Sequence, residues 1–225
     1  MRVAALNDVH GNVHALEAVL AEVDADVVVF GGDLASGPFP AETIALARSL
    51  PSVRFVRGNA DVLASPAIDA EADAARRWVE RQLDDDRIEW LATLPFSWSC
   101  DDTLYVHANP RNVEDVVTER TPDDEVASYL HSVKESRVVT GHIHLQFRRR
   151  IGDIEWIGSG SVGYPYEDEP GAYWAVVAPD DVEFRRTEYD YDASFAAIKA
   201  SGHPRAPALW AARPRRAEAL AFLAP

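Results

Sequence analysis

The sequence predicts a single α/β domain in which two packed sheets carry helices on their outer sides. In the first half, short apolar runs of strand length alternate with segments of helical spacing, and this βαβαβ order is typical of a largely parallel sheet. From residue 146 onward, short strands joined by turns predict antiparallel pairing. The chain has 225 residues, of which 47% are hydrophobic, and this is enough for one sizeable core. We expect one domain over residues 1–225, with a peripheral tail from about residue 203.

The first half supplies the parallel part of this prediction. Residues 2–6 form an apolar run of strand length, and residues 13–23 carry apolar side chains at helical spacing. A second strand is expected over residues 26–30. The following helix is expected over residues 41–50, with Pro40 suited to its first position, and a third strand over residues 53–56.

The rest of the chain supplies further helices and the antiparallel strands. Two helices are expected between residues 71 and 94, a strand over residues 103–106 and a strand over residues 137–140. Acidic residues open a predicted helix over residues 121–133, at its positive end. Four short strands are predicted over residues 146–150, 154–158, 172–178 and 182–187, and a last helix over residues 191–201.

Five short polar signatures stand directly after predicted strands. They are Asp8-Val9-His10, Gly32-Asp33, Gly58-Asn59-Ala60-Asp61, Val106-His107 and Gly141-His142-Ile143-His144. The carboxyl ends of parallel strands lie along one rim of a sheet. In extended backbone, residues two apart project the same way, which would align Asp8 with His10 and His142 with His144. We therefore expect two carboxylates, four imidazoles and one amide oxygen in one small space.

Such a cluster predicts a metal site. Mixed carboxylate and imidazole ligands suit Mn, Fe, Zn, Co or Ni rather than Ca. They are too many for one tetrahedral ion, but they fit two ions bridged by a carboxylate such as Asp33. Two ions ~3.5–4 Å apart generate a hydroxide and clamp a phosphoryl oxygen during in-line displacement. A lone histidine or a lone Gly-Asp turn is more often structural, and only the five signatures together favour the metal site.

The order D-x-H, G-D, G-N-x-D, H and G-H-x-H resembles the calcineurin-like metallophosphoesterase superfamily over about residues 2–144. The segments NDVHGNVHALEAVL and GSGSVGYPYEDEPGAYW resemble its small prokaryotic branch, which extends the likeness to about residue 178. The resemblance implies a four-layer α-β-β-α sandwich of two mixed sheets flanked by helices. It also implies two divalent ions, with Mn favoured over Fe, Zn, Ni or Co. It assigns Asp8, His10, Asp33 and His144 to one ion and Asp33, Asn59, His107 and His142 to the other.

Catalytic and substrate-binding roles are predicted for residues of the same signatures. Asp33, Asn59 and His107 are the candidate catalytic residues, and Asn59 is also expected to contact substrate. Arg111 can bind a phosphate bidentately, although it can equally be a loop arginine paired with Glu114 or Asp115.

Asp61 is expected to hold a histidine ligand or a backbone turn in place. The superfamily's commonest motif has a histidine where Ala60 stands, so the usual donor of a proton to the leaving group is missing. The candidates for this role are a group of the substrate, a water molecule, His14 and Arg111.

Residues 158–163 spell G-x-G-x-x-G, but the segment that follows, Tyr164-Pro165-Tyr166-Glu167, does not suit the start of a helix that would hold a pyrophosphate. A tight turn near the metal rim is the preferred interpretation. Ser159 and Ser161 have no base at a recognisable spacing, which argues against a serine nucleophile.

Composition limits the partners. The net charge of −15 disfavours long nucleic acids. No apolar run approaches the ~20 residues of a membrane span, and the opening residues do not resemble a signal peptide. A single cysteine, Cys100, excludes internal disulfides. We therefore expect a cytoplasmic protein with a small phosphate-ester substrate and no membrane partner.

The predicted function is hydrolysis of phosphate esters, with phosphodiesters preferred, by a metal-bound hydroxide and without a covalent phosphoenzyme. A phosphomonoesterase and a phosphoprotein phosphatase are alternatives within the same chemistry. A binding or scaffold protein that uses the metals only for stability is an alternative of another class, which the presence of every ligand residue disfavours.

Overall fold

The strands form two mixed sheets of five strands each in a computed structural model that describes residues 1–63 and 69–223. The first sheet has the order β10-β9-β1-β2-β3, and the second has the order β4-β5-β6-β8-β7. The strands are β1 (Val3–Leu6), β2 (Val27–Phe30), β3 (Val53–Phe55), β4 (Ser97–Cys100), β5 (Thr103–Val106), β6 (Arg137–Thr140), β7 (Gln146–Ile151), β8 (Ile154–Ser159), β9 (Ala172–Ala178) and β10 (Asp181–Thr187).

Eight helices connect or flank these strands in the described ranges. They are α1 (Val13–Glu22), α2 (Pro40–Arg48), α3 (Ala70–Gln82), α4 (Asp85–Ala92), α5 (Asp123–Leu130), α6 (Tyr191–Ala200), α7 (Ala206–Ala211) and α8 (Arg216–Phe222). Their starts follow local rules. The Asn12 side chain accepts from the Ala15 N–H at 3.2 Å and caps α1, and Pro40 occupies the first turn of α2.

The two sheets face each other through a shared apolar core. Val3 and Val29 of the first sheet pack in one buried cluster with Tyr105, Val139 and Ile157 of the second. The outer face of the first sheet is covered by helices α1 to α4, and the outer face of the second by α5 and α8. The predicted four-layer α-β-β-α sandwich of mixed sheets is therefore confirmed.

Strand pairing follows the prediction with one correction. β1, β2 and β3 are parallel, and β9 and β10 add to them in antiparallel fashion. β8 was expected to be antiparallel, but it is parallel to β6 and antiparallel only to β7. The strand lies between these two neighbours because the chain crosses over between β6 and β7. Strand β4 was not predicted, since the alternation of SWSC is too short to stand out.

The predicted tail lies against the domain instead of at its periphery over residues 203–223, and residues 224–225 lie outside the described ranges. Trp210 and Ala206 of α7 are buried with Tyr164 and Ile198. Leu220 of α8 is buried against the second sheet. The apolar side of each short helix explains the difference, because burial stabilises a segment that has no clear periodicity of its own. Among the described helices, none is long and apolar enough to cross a membrane.

Candidate metal centre

The seven predicted metal ligands lie at the carboxyl ends of strands from both sheets. Asp8 and His10 follow β1, Asp33 follows β2, and Asn59 lies four residues beyond the end of β3. His107 follows β5 directly, and His142 and His144 follow β6. The facing of the two sheets brings these loops together at one rim, as the parallel order of the strands predicts.

Five of these residues adopt left-handed backbone, which corrects the expectation of extended backbone at the paired ligands. The φ angles are 53° at Asp8, 48° at His10, 51° at Asp33, 67° at His142 and 58° at His144. In the described ranges only two other non-glycine residues have positive φ, and both lie in the turn between β4 and β5. Each such residue costs about 1–2 kcal/mol. Strain concentrated in this way marks a functional site.

The residues between the paired ligands explain how this backbone still aligns them. Val9 and Ile143 are 0% and 2% exposed, so each apolar side chain turns into the core. The polar residues on either side then turn outward together. Residues two apart therefore do point to the same side, as expected, but their backbone is left-handed and not extended.

The segment Gly158 to Gly163 holds the loop that carries Asp8. The Ser161 hydroxyl donates to the Asp8 carbonyl oxygen at 2.7 Å, and the Gly163 N–H donates to the same oxygen at 3.0 Å. A Cβ atom at Gly163 would lie 1.8 Å from the Val9 carbonyl oxygen, so only glycine fits. Gly158 and Ser159 belong to β8, and the predicted turn near the metal rim is a bend over residues 162–164 that follows this strand.

One group of donor atoms is formed by Asp8, His10 and His144. The Asp8 Oδ1 atom lies 3.4 Å from His144 Nε2 and 3.9 Å from His10 Nε2. The two histidine Nε2 atoms are 3.2 Å apart. Asp8 is fully buried, and its Oδ1 atom has no hydrogen-bond partner among the described residues.

The second group is formed by Asp8, Asp33 and His107, so Asp8 belongs to both groups. The His107 Nε2 atom lies 2.9 Å from Asn59 Oδ1, 3.1 Å from His142 Nδ1 and 3.6 Å from Asp33 Oδ2. The same Asp33 oxygen lies 3.7 Å from His10 Nε2 of the first group. Asp33 Oδ2 is therefore placed between the two groups, as a bridging ligand requires.

The other nitrogen of each histidine donates to a backbone carbonyl oxygen. The pairs are His10 Nδ1 with Ser36 (3.1 Å), His107 Nδ1 with Gly31 (3.0 Å), His144 Nδ1 with Tyr164 (2.5 Å) and His142 Nε2 with Glu114 (3.0 Å). A carbonyl oxygen only accepts, so each of these nitrogens carries the hydrogen. The nitrogens that face the cluster then present lone pairs. Histidine ligands of metals are held in this way.

These donor atoms fit divalent cations. Lone pairs that face each other at 3.1–3.2 Å repel unless a positive charge lies between them, and the buried Asp8 Oδ1 atom also lacks a partner. Carboxylate, imidazole and amide ligands suit first-row transition metals. The arrangement therefore supports metal binding by the residues that the signatures identified.

The pKa shifts of the histidines indicate which of them can be protonated in the cluster. Burial lowers the pKa of His142 to about 4, with His107 adding to the effect, and burial also lowers the pKa of His10. Burial opposes protonation of His107 too, but the carboxylates of Asp33 and Asp8 outweigh it and raise its pKa. Two histidines thus stay neutral, and the carboxylates attract positive charge toward the centre of the site.

Asp61 holds the loop that carries Asp33. Its Oδ2 atom accepts from the backbone N–H groups of Asp33 (2.8 Å) and Gly58 (2.9 Å), and its Oδ1 atom accepts from Leu34 at 3.0 Å. Burial, followed by the Asp33 charge, raises the pKa of Asp61 to about 6. Of the two roles expected for Asp61, the structure shows the one of fixing a backbone turn.

Asp61→Ala should destabilise the protein and weaken metal binding together. Three buried N–H groups would lose their acceptor at about 1–3 kcal/mol each, so we expect a fall of at least about 3 kcal/mol in the free energy of unfolding. Loss of such a supporting contact typically weakens metal affinity about 10–100-fold. Chemical denaturation and Mn²⁺ titration measure the two effects. The exposed Asp180 provides the control Asp180→Ala, and equal stability of both variants would contradict the role.

Arg111 lies apart from the cluster. It is exposed, and its guanidinium carbon lies 5.4 Å from the centre of the Tyr129 ring. It forms no ion pair with Glu114 or Asp115 among the described residues, and it does not line the cavity beside the metal cluster. Its role in substrate binding remains a prediction. His14 also stays outside that lining, and its ring packs edge-to-face on Phe39.

A cavity of about 440 Å³ opens at the cluster. Its lining includes His10, Asp33, Asn59, Ala60, His142 and His144. Further walls, which the sequence does not predict, come from α3 and from the segment around α7. These segments carry no recognisable motif, and only their packing shows that they belong to the site.

Comparison with known proteins identifies the family. Residues 1–181 match the calcineurin-like phosphoesterase superfamily domain, and the chain belongs to this family. The class of activity is therefore metal-dependent hydrolysis of phosphate esters. The predicted membership of the superfamily and of its small prokaryotic branch is confirmed.

Individual relatives agree with this assignment. An uncharacterized protein of Methanocaldococcus jannaschii is 25% identical over 228 residues, which cover 87% of this chain and 91% of that protein. The metallophosphoesterase from Sphaerobacter thermophilus superimposes with a TM-score of 0.80 at 27% identity, over 95% of this chain and 99% of that one. A hypothetical protein from Pyrococcus horikoshii OT3 superimposes with a TM-score of 0.83 over 95% and 98% of the two chains, and at 20% identity it supports the fold.

Proposed function

We propose that the protein is a binuclear metal-dependent phosphoesterase that prefers phosphodiesters of small molecules. The observation that carries this proposal is the position of Asp33 Oδ2, 3.7 Å from His10 Nε2 and 3.6 Å from His107 Nε2. Asp8, His10, Asp33 and His144 would hold one ion. Asp33, Asn59, His107 and His142 would hold the other. Mn²⁺ is the first choice of metal for testing.

Such a pair of ions, when bound, supplies an activated water and neutralises charge on the phosphoryl oxygens. The residues of the chain supply the placement. Carbonyl oxygens of Gly31, Ser36 and Tyr164 fix the imidazole rings. Asn59 directs its Oδ1 atom toward His107 and lines the cavity, so its amide N–H groups can donate to a phosphoryl oxygen.

Two features favour diesters. A phosphodiester carries one negative charge at neutral pH, whereas a monoester carries nearly two because its second pKa is about 6. The chain's net charge of −15 opposes the second charge where no basic side chain offsets it. The cavity also extends from the metal cluster to side chains of α3 and α7, which gives room for substituents on a diester.

The comparison of two chromogenic substrates tests this function. Protein loaded with Mn²⁺ should hydrolyse bis(4-nitrophenyl) phosphate with a kcat/KM about tenfold or more above that for 4-nitrophenyl phosphate, which corresponds to about 1.4 kcal/mol for the extra charge. The leaving group is the same in both esters. The difference in kcat/KM therefore reflects only the charge of the ester and its second substituent. A faster monoester would contradict the diester preference. No turnover of either ester would favour a scaffold that uses the metals for stability.

A further inference from the structure

The segment from His203 to Trp210 forms one wall of the cavity at the metal cluster. His203, Arg205, Leu209 and Trp210 line the same cavity as His10 and Asp33. The segment lies beyond residues 1–181, which match the family. It therefore adds side chains to the site that the family signatures do not include.

Hydrogen bonds fix this wall relative to the metal cluster. The Tyr164 carbonyl oxygen accepts from His144 Nδ1 at 2.5 Å, and the Tyr164 hydroxyl donates to the Leu209 carbonyl oxygen at 2.9 Å. The rings of Tyr164 and Trp210 pack with their centres 4.6 Å apart. Tyr164 thus contacts the predicted metal ligand His144 through its backbone and Leu209 of the wall through its hydroxyl group. The length of the tyrosine side chain lies between these two contacts.

Hydrogen bonds to His203 also fix the turn that presents Arg205. The His203 Nδ1 atom accepts from the backbone N–H groups of Arg205 at 3.2 Å and Ala206 at 2.9 Å. His203 is 6% exposed, and its ring packs edge-to-face on Trp78. Burial, followed by the charge of Arg205, lowers the pKa of His203 to about 4, so the ring stays neutral and keeps this acceptor.

Arg205 differs from Arg76, the other arginine in the lining of the cavity, because its charge has no anionic partner. Arg76 pairs with Asp73 and Glu80. Among the described residues, no carboxylate lies within 4.0 Å of the Arg205 guanidinium. The chain has 37 acidic and 22 basic residues, so acidic partners are abundant. A half-buried guanidinium that lines a cavity without one is available to a ligand.

We propose that Arg205 binds a second phosphoryl group of the substrate, distinct from the phosphate that is hydrolysed. This proposal rests on the proposed function. The reacting phosphate belongs at the Asp8 and Asp33 cluster, and Arg205 pairs with neither carboxylate. The planar guanidinium fork matches phosphate geometry. The substrate class is then a small phosphodiester with a further phosphate.

The rest of the cavity suits the organic part of such a substrate. Val62, Leu63 and Val79 line it together with Leu209 and Trp210. A volume of about 440 Å³ falls within the range of about 300–1,000 Å³ for small-molecule sites. An apolar or aromatic group can therefore lie between the two phosphates.

Two chromogenic esters that differ only in a remote phosphate test the proposal. They are thymidine 5′-(4-nitrophenyl phosphate) and the same ester with a 3′-phosphate. We measure the ratio of their kcat/KM values, with the 3′-phosphorylated ester in the numerator. Arg205→Ala should lower this ratio about 10–100-fold, as expected for loss of charge-assisted hydrogen bonds, and Arg205→Lys should lower it less. Arg81→Ala removes an exposed charge of α3 that does not line the cavity and should leave the ratio unchanged.

The outcomes separate this proposal from the proposed function. If the esters are hydrolysed and Arg205→Ala keeps the wild-type ratio, the second phosphate site is overturned and the phosphoesterase stands. If Mn²⁺-loaded wild-type protein hydrolyses neither these esters nor bis(4-nitrophenyl) phosphate, the proposed function fails. In that case the affinity of the same proteins for thymidine 3′,5′-bisphosphate, measured by calorimetry, tests the second phosphate site. The proposal requires about tenfold weaker binding or more to Arg205→Ala, and equal affinities overturn it.

Discussion

Asp33→Asn should abolish metal-dependent hydrolysis and reduce the bound metal at the same time. Asp33 Oδ2 lies within 3.7 Å of a histidine nitrogen from each donor group, and we propose that it serves both ions. Asparagine preserves the shape of the side chain, and its carbonyl oxygen can still accept from the Ala60 N–H, as Asp33 Oδ1 does at 2.8 Å. The change therefore removes the charge with little effect on the loop. Loss of several kcal/mol of charge stabilisation corresponds to a fall of about 10³-fold or more in kcat.

Metal analysis and kinetics must be made on the same preparation of this variant. Asp180→Asn is the matched control, because Asp180 is exposed and has no ion pair among the described residues. We expect the control to keep both metal content and activity. An Asp33→Asn protein that binds two ions and retains wild-type kcat would show that Asp33 is not the bridging ligand.

Ala60→His should restore hydrolysis of esters with poor leaving groups. Ala60 lines the cavity next to Asp33 and Asn59, and its methyl group has no proton to give. General acid catalysis contributes about 10²–10⁴-fold and matters most for basic leaving groups. We therefore expect the wild-type rate to fall steeply as the leaving-group pKa rises. In Ala60→His the slope should be shallower, with alkyl esters gaining most.

A series of aryl and alkyl diesters measures this slope under conditions where chemistry is rate-limiting. Ala60→Gln supplies a polar side chain without an acidic proton, so it should keep the steep slope of the wild type. A flat slope in the wild type would mean that another group already donates the proton. Tyr166 is then the first residue to examine, since it lines the cavity and its ring stacks on His144 with centres 4.6 Å apart.

Much of the fold could be predicted from the sequence because its signals are local. The alternation of apolar strands and helical spacing gives the parallel strands β1, β2 and β3, and Asn12 and Pro40 mark helix starts. The pairing of β8 could not be predicted, because the choice between parallel and antiparallel neighbours depends on a crossover and not on the strand's own residues. Strand β4 and helices α7 and α8 are short, and packing rather than periodicity stabilises them.

The metal ligands could be predicted because each stands at the end of a strand with a diagnostic neighbour. The backbone conformation of these ligands could not be predicted. Left-handed φ at Asp8 or His144 leaves no mark in composition, and it is imposed by buried neighbours such as Val9 and by the loop around Gly163. The histidine tautomers depend on carbonyl oxygens, which every residue has. The position of Arg205 could not be predicted for a related reason, since only the packing of residues 203–223 against the domain brings it to the cavity.

The measurement that tests the account most directly is a titration of metal-free protein with Mn²⁺, in which bound ions and hydrolysis of bis(4-nitrophenyl) phosphate are followed together. Chelator treatment should first reduce both metal content and activity to background. On titration we expect two ions to bind per chain and activity to reach its maximum only when the second has bound, because Asp33 joins the two donor groups. Protein that is confirmed to be metal-free and still hydrolyses the ester as fast as the loaded form would contradict the binuclear mechanism.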